Sequence, residues 1–310
     1  MPALIGKENS TYNGKTVDKE SEDIVYFDDT HEYIDKESGV RGISVTTLIH
    51  RYSNPFDADF WSSYKALEQI MDLDTWLILK KTLLARKKFD NRYLSKFNID
   101  ESLFYQKKEE ILKSYDEERE KSCKLGTEIH AALEQALYKK DPSIKTYNVG
   151  GSLDVFEGVY CKELPDGIYP EYLISYKYKD MLICGQIDLL VIDNQEITII
   201  DHKTCKKIDM KSYYNSGTKS NTMMKYPLNN IMDCNGKIYN LQLSLYAWMV
   251  QQMHPEYKVK RLALHWIDHD HNESFIELPY LEDDVKRMLR HYYKDMHVQA
   301  ELDRLKPVIE

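Results

Sequence analysis

The sequence predicts an α/β protein: a small β element and a helical stretch in front, then a core ordered helix, strand, strand, strand, helix, strand. Three observations carry this. Apolar, β-rich runs at 171–179, 181–193 and 196–201 are separated only by Lys179-Asp180 and Asn194-Gln195, connections of hairpin length. Apolar residues recur at helical spacing in 122–139, 238–253 and 281–305, with the amphipathic pattern expected of surface helices. Residues 56–122 carry the same period with few turn signals.

From the N-terminus, residues 1–22 are polar and expected to be flexible. Residues 24–47 suggest two short strands and a turn, and Thr46 or Thr47 is placed to cap a helix starting near Leu48. The helical stretch is broken at Asn98-Ile99-Asp100, where Asp100 is a candidate cap. Residues 141–168 are rich in Gly and Pro and are expected to form a loop. Residues 205–237 are polar and longer than a connector requires. Beyond the helix at 238–253, two more strands are expected at 259–270 and 274–281. The expected organisation is a flexible 1–22, an N-terminal β and helical region over 23–121, and a core over 122–310.

Composition excludes several classes. Hydrophobic residues make up 42% and charged residues 30% of the 310, which suits a folded protein with a sizeable core. No apolar run is long enough to span a bilayer, and the N-terminus has no secretory h-region; a cytoplasmic location is expected. The five cysteines (123, 161, 184, 205 and 234) are scattered without a CxxC, so reduced thiols are expected and a zinc ribbon or iron–sulfur cluster is not. No GxxxxGK[ST] occurs, so no nucleotide cofactor is expected.

The net charge of −9 argues against general nucleic-acid binding, yet the charge is unevenly spread. Lys80, Lys81, Arg86, Lys87, Lys88, Arg92 and Lys96 face a single acid, Asp90. Lys203, Lys206, Lys207, Lys211, Lys219 and Lys225 face Asp209 alone. Local positive surface on an acidic chain suits a phosphate backbone held in one place; a solvated helix face explains the first run equally well.

The third strand ends in Asp201-His202-Lys203. Strand side chains alternate, so Asp201 and Lys203 share a face and His202 points the other way. Counting back from the turn at 194–195 places Asp188 beside residue 201. Two carboxylates so close raise each other's pKa unless a cation lies between them. Oxygen ligands at this spacing suit Mg²⁺ or Mn²⁺, one or two ions, with Lys203 beside them. Glu171 on the adjacent strand and His130 on the leading helix are candidate further ligands.

Gly126-x-x-x-His130, Gly185-x-x-Asp188, Asp201-x-Lys203 and Gln242-x-x-x-Tyr246, in that order over about 122–268, resemble the PD-(D/E)XK nucleases of the RecB type, which include the mitochondrial genome maintenance exonuclease. Ile43-Ser-Val-Thr-Thr-Leu48 resembles a segment of that last type. The resemblance implies an αβββαβ core with a mixed sheet and a stand-alone Mg²⁺- or Mn²⁺-dependent DNase of phage or bacterial type. By position it implies His130, Asp188, Asp201 and the His202 carbonyl as metal ligands, Lys203 as the catalytic lysine, and Glu171 as a further acid. Gln242, Tyr246 and Thr204 would position site and substrate. Lys80, Lys81, Arg86, Lys87, Lys88, Arg92, Lys206 and Lys207 would contact DNA, with the helical region guiding a strand. Tyr213, Tyr214 and Tyr226 are expected to face substrate. An exonuclease acting on single strands or DNA ends is favoured; an endonuclease, or a DNA-binding protein without catalysis, are the rivals. A zinc site at His265, His269 and His271 is the weaker reading of those histidines.

Overall fold

The computed structural model describes residues 10–139, 153–156, 162–215, 219–268, 270 and 272–304. In chain order the elements are β1 (Thr11–Tyr12), β2 (Lys15–Thr16), β3 (Lys19–Glu20), β4 (Ile24–Phe27), β5 (Glu32–Asp35), β6 (Ile43–Ser44), α1 (Val45–His50), α2 (Ala58–Ile70), α3 (Leu73–Arg86), α4 (Arg92–Lys96) and α5 (Glu101–Tyr138). They continue with β7 (Gly167–Tyr178), β8 (Met181–Asp193), β9 (Glu196–Lys203), β10 (Tyr214–Asn215), β11 (Ser220–Asn221), α6 (Asn235–Met253), β12 (Lys258–Ile267), β13 (Glu273–Leu278) and α7 (Glu282–Arg304). This is a mixed α/β protein with seven helices among the described residues. None of them is long and apolar enough to cross a membrane.

The chain forms two compact units. One comprises Met1–Asn54, Glu128–Tyr214 and Asn221–Glu310; the other comprises Pro55–Thr127 and Asn215–Ser220. The expected division at 121/122 therefore moves, and β4, β5, β6 and α1, expected with the helical region, belong to the sheet-bearing unit. The unit boundary at 127/128 falls inside α5, which is a single 38-residue helix rather than two. Gly126 costs such a helix about 1 kcal/mol relative to Ala, too little to break it. Asp100 caps it as expected, accepting from the Leu103 N–H at 2.8 Å.

In the first unit a six-stranded sheet runs β13-β12-β9-β8-β6, with β7 also paired to β8. β7, β8 and β9 form an antiparallel meander; β12 lies parallel to β9 after the α6 crossover, and β13 is antiparallel to β12. β6 pairs with Ile183 and Cys184 of β8, and β9 pairs with residues 189–193. Ile183 and Leu189 each have a β7 partner as well. Both β6 and β9 must therefore lie on the β8 edge away from β7, leaving 185–188 between them.

The predicted strands are all present, with shifted ends. β7 starts at Gly167 and not 171, running through Pro170. β9 continues to Lys203, so the ionisable residues lie within the strand. β12 is shorter than expected, stopping at Ile267. Part of the 10–22 stretch, expected to be flexible, forms β1 to β3, and β3 joins β4 and β5. The first helix starts at Val45, capped by Ser44, whose hydroxyl accepts from the Thr47 N–H at 3.1 Å.

The main core surrounds α6. Every residue from Asn240 to Val250 is buried, the polar Asn240, Gln242 and Ser244 included, so this stretch of the helix is enclosed rather than one-faced. Against it pack Val45, Leu48 and Ile49 of α1, Ile197 and Ile199 of β9, and Val285, Met288 and Leu289 of α7. On the other sheet face, Leu137 of α5 clusters with Ile168, Leu189, Val191 and Ile200. The second unit has its own core of Phe60, Tyr64, Leu67, Trp76, Leu79, Leu83 and Phe104. Its helices α2 and α3 are capped by Asp57 and Asp72.

Candidate active site

The registers of the meander place three carboxylates in one row. Pro170 pairs with Leu189 and Tyr172 with Ile187, so Glu171 stands opposite Asp188. Leu189 pairs with Ile200, so the next position along brings Asp188 opposite Asp201. The β8–β9 ladder stops at 189/200. Beyond it the His202 N–H donates to Asp188 Oδ2 at 2.7 Å in place of a backbone carbonyl.

The strands change face at this row. In β8, Met181, Ile183 and Ile187 cluster with α6, as do Leu190 and Ile192, while Leu189 and Val191 join Leu137 on the other side. The alternation shifts by one between Ile187 and Leu190. β7 shifts at the same level: Tyr169 packs with α6, then Tyr172 and Ile174 do. Glu171 takes the step with φ +50°, a left-handed conformation unusual for a non-glycine residue. Such strain persists where the surroundings hold it. Here Gln186 Nε2 donates to Glu171 Oε2, and Lys19 Nζ lies 3.7 Å from the same oxygen.

His130 of α5 completes the cluster. Its Nδ1 lies 3.7 Å from both Glu171 Oε1 and Asp188 Oδ2, and its Nε2 lies 3.1 Å from the His202 carbonyl oxygen. Ligand atoms of His130, Glu171 and Asp188 all lie within 4.8 Å of one another. Asp201, on the α6 side, is buried and ion-paired with Lys203; its Oδ1 accepts from Gln242 Nε2 at 3.4 Å. Lys203 also lies over the Tyr239 ring at 4.9 Å. The expected shared face of Asp201 and Lys203 is present.

His202 turns its ring into the interior. Its Nδ1 lies 3.0 Å from Nδ1 of His265, its partner across β9–β12. His265 in turn stacks on Phe275 at 4.7 Å, and its Nε2 lies 3.5 Å from Glu273. Burial, then His265, hold the His202 imidazole well below its usual range, so it stays neutral. His265 is thus a buried structural histidine; His269 and His271 lie outside the described residues.

The electrostatics are those of carboxylates and cationic groups packed together out of water. Burial pushes the Asp188 carboxyl up, with Glu171 adding to it against His130 and Lys203. Burial also raises Asp201 to about 6, where Lys203 opposes and Asp188 reinforces the shift. For His130, burial opposes the charged form, but Glu171 and Asp188 overcome it and raise the imidazole to about 9. Burial likewise works against the Lys203 ammonium, and Asp201 and Asp188 more than offset it, holding it above its usual range. Among the described residues, the ligand atoms of His130, Glu171 and Asp188 lie close enough together to hold a divalent cation such as Mg²⁺ or Mn²⁺, whereas Asp201 is engaged by Lys203 and Gln242 and the His202 carbonyl faces the other ring nitrogen of His130.

Gln242 and Tyr246 differ in role. Gln242 touches Asp201, whereas Tyr246 is buried against Gly185, where an added Cβ would stand 2.5 Å from the Tyr246 ring. Tyr246 thus packs behind the row and also meets the Gln242 side chain. Thr204 follows β9 and is half-buried.

The basic residues are more engaged than the sequence suggested. Lys80 lies 3.9 Å from Glu68 and over Trp76, Lys87 lies over Trp61 at 4.6 Å, Arg86 reaches the Tyr93 hydroxyl, and Arg92 is ion-paired with Asp90. Lys207 is paired with Asp209. Lys81 and Lys88 are exposed and make no ion pair among the described residues. The row's clamps, Gln186 and Lys19, had no sequence signal beyond the Gly-Gln-Ile-Asp run itself, and the remote Lys19 none at all.

No family model matches the chain, and no curated protein does. Among solved structures, one described as "Crystal structure of SSO0001" is similar at 18% identity, over 71% of this chain and 85% of that chain, with a TM-score of 0.27.

Proposed function

We propose that this protein is a metal-dependent nuclease that hydrolyses phosphodiester bonds in DNA, acting as an exonuclease on single strands or ends, on a PD-(D/E)XK core. The observation that carries the reading is the row Glu171–Asp188–Asp201, flanked by His130 on one side and Lys203 on the other. A structural ion pair needs one acid and one base. Three acids aligned across three strands, two of them raised by burial, are costly unless cations offset them; His130, Lys203 and Lys19 do so here, and a bound metal ion would take the place of the proton on His130.

His130, Glu171, Asp188, Asp201 and the His202 carbonyl would hold the Mg²⁺ or Mn²⁺. Bound there, the ion would acidify the attacking water and offset charge on the phosphate. The chain's own groups do the rest. Lys203 is ionised at neutral pH, so it serves as a charged donor to the phosphate rather than as a base. Gln242 fixes one oxygen of Asp201, and Gln186 fixes one of Glu171, so the carboxylates present defined lone pairs. The His202 N–H fixes Asp188 in the same way.

The test is digestion of end-labelled linear, circular and duplex DNA with Mg²⁺, Mn²⁺ or EDTA. Cleavage of linear single strands that EDTA stops, with circles spared, is expected. Cut circles would replace the exonuclease with an endonuclease, and no cleavage under any metal would remove the nuclease reading.

A further inference from the structure

The chain leaving α1 is stitched to the segment 223–233 on the surface of the sheet-bearing unit. The Lys225 N–H donates to the Tyr52 carbonyl at 2.7 Å, and Lys225 Nζ reaches the Arg51 carbonyl at 3.5 Å. Asn54 donates its backbone N–H to Asp233 at 2.6 Å and its side-chain amide to the Met223 carbonyl at 3.1 Å. Beneath, Met224 and Leu228 are buried in the core that also holds Tyr52 and Tyr246.

Between those two anchors Tyr226 is 70% exposed. It is nevertheless held: its ring meets His291 of α7 at 5.2 Å and 77°. His291 is fixed in turn by Tyr52, whose hydroxyl lies 3.1 Å from Nδ1 and whose ring lies 5.7 Å away. A large ring propped in place with most of its surface in water contributes little to folding. Beside it stand two exposed cations. Arg51 lies over Tyr292 at 5.0 Å, and neither Arg51 nor Lys225 makes an ion pair among the described residues, on a chain of net charge −9. Of the nearby acids, Asp233 is engaged with Asn54 and Asp284 with Arg287, while Asp295 of α7 acts on Tyr52.

We propose that Arg51, Lys225 and Tyr226 form a ledge for single-stranded nucleic acid, with a base stacked on Tyr226 and backbone phosphates against the two cations. The ligand class rests on the nuclease reading, while the ledge uses none of the residues of the carboxylate row. A propped aromatic ring with unpaired cations recognises two parts of one ligand: a π-face and a phosphate. Duplex DNA keeps its base faces stacked internally, so the ledge selects unpaired strands.

The test is fluorescence anisotropy of a labelled oligothymidylate with the full chain in EDTA, so that binding is read without cleavage. Tyr226→Ala is expected to weaken binding about tenfold, with Tyr226→Trp binding as wild type and the melting temperature of both unchanged. Arg51→Gln with Lys225→Gln is expected to lower the salt slope by about 1.4, at about 0.7 per lost phosphate contact. An abasic oligomer of equal length should bind more weakly and be insensitive to Tyr226→Ala. Unchanged affinity of Tyr226→Ala for the oligothymidylate, or equal binding of abasic and base-bearing strands, would overturn the ledge. The nuclease reading fails separately: a protein that binds through Tyr226 but cuts nothing keeps the ledge and loses that reading.

Discussion

Gly185 and Tyr246 are complementary halves of one contact: the phenol ring of Tyr246 lies where a side chain at 185 would begin, with Cε1 2.5 Å and the hydroxyl 2.8 Å from an ideal Cβ. The two residues belong to separate sequence motifs, and their contact joins β8 to α6 immediately before the carboxylate row. Tyr246 is buried and sits on α6, a rigid neighbour, so the ring has little room to yield. Gly185→Ala should therefore destabilise the fold by about 1–3 kcal/mol, as overpacking does. Tyr246→Leu should relieve that strain, so the double variant will be more stable than the sum of the singles predicts. Thermal unfolding of the four proteins checks this; strictly additive losses would show the contact to be loose.

The His202–His265 pair holds the end of β9 from inside. Replacing His265 with Leu removes the partner of a buried ring nitrogen, a loss of about 1–3 kcal/mol. Because the same residue 202 gives its N–H to Asp188 and its carbonyl to His130, His265→Leu should also weaken Mn²⁺ binding, measured by calorimetry. A variant with normal Mn²⁺ affinity would show that the pair serves stability alone.

Asp35 offers an acid-stability test away from the site. The Lys177 ammonium at 2.8 Å and the Ser38 N–H at 2.7 Å hold its carboxyl at about 2, below its ordinary 3.8. A depressed folded-state pKa adds stability above the unfolded value, lost as pH falls through the folded one. Asp35→Asn should thus be less stable than wild type above about pH 4, with the gap closing toward pH 2. Denaturant melts across that range measure it; a gap that does not depend on pH would contradict the assignment.

The row was partly legible in the sequence. Strict alternation gave Asp201 and Lys203 a common face, and counting from the Asn194-Gln195 turn brought Asp188 to Asp201. It did not give the shift of face at 187–190, because a left-handed step at Glu171 is a tertiary choice that no pattern in Tyr-Pro-Glu-Tyr announces. Pro170 hid the start of β7 for a related reason: a proline argues against a strand, but this one lies where only one neighbour is laddered across it. Local signals also could not show that α6 is enclosed on all sides, since that depends on α1 and α7 from distant parts of the chain. The lysines at 80 and 87 looked free because their partners, Glu68 and Trp61, are brought to them by folding, whereas Lys207 takes Asp209, the one acid of its own run.

The carboxylate row itself depends on its counterions. Asp188→Asn should abolish Mn²⁺ binding measured by calorimetry and leave the melting temperature unchanged or raised in EDTA, since it removes one of two neighbouring acids that repel each other. A variant that lost its fold instead would mean that Asp188 serves the structure first.

Cleavage of 5′-labelled single-stranded DNA by wild type and Lys203→Ala, each with Mg²⁺ and with EDTA, tests the central claim most directly. Wild type should cut with Mg²⁺ and stop with EDTA. Lys203→Ala should fold and bind the strand but cut at least about 10²-fold more slowly, as loss of a charged donor to the reacting phosphate requires. Cleavage by Lys203→Ala at the wild-type rate, or cleavage by wild type that persists in EDTA, would contradict it.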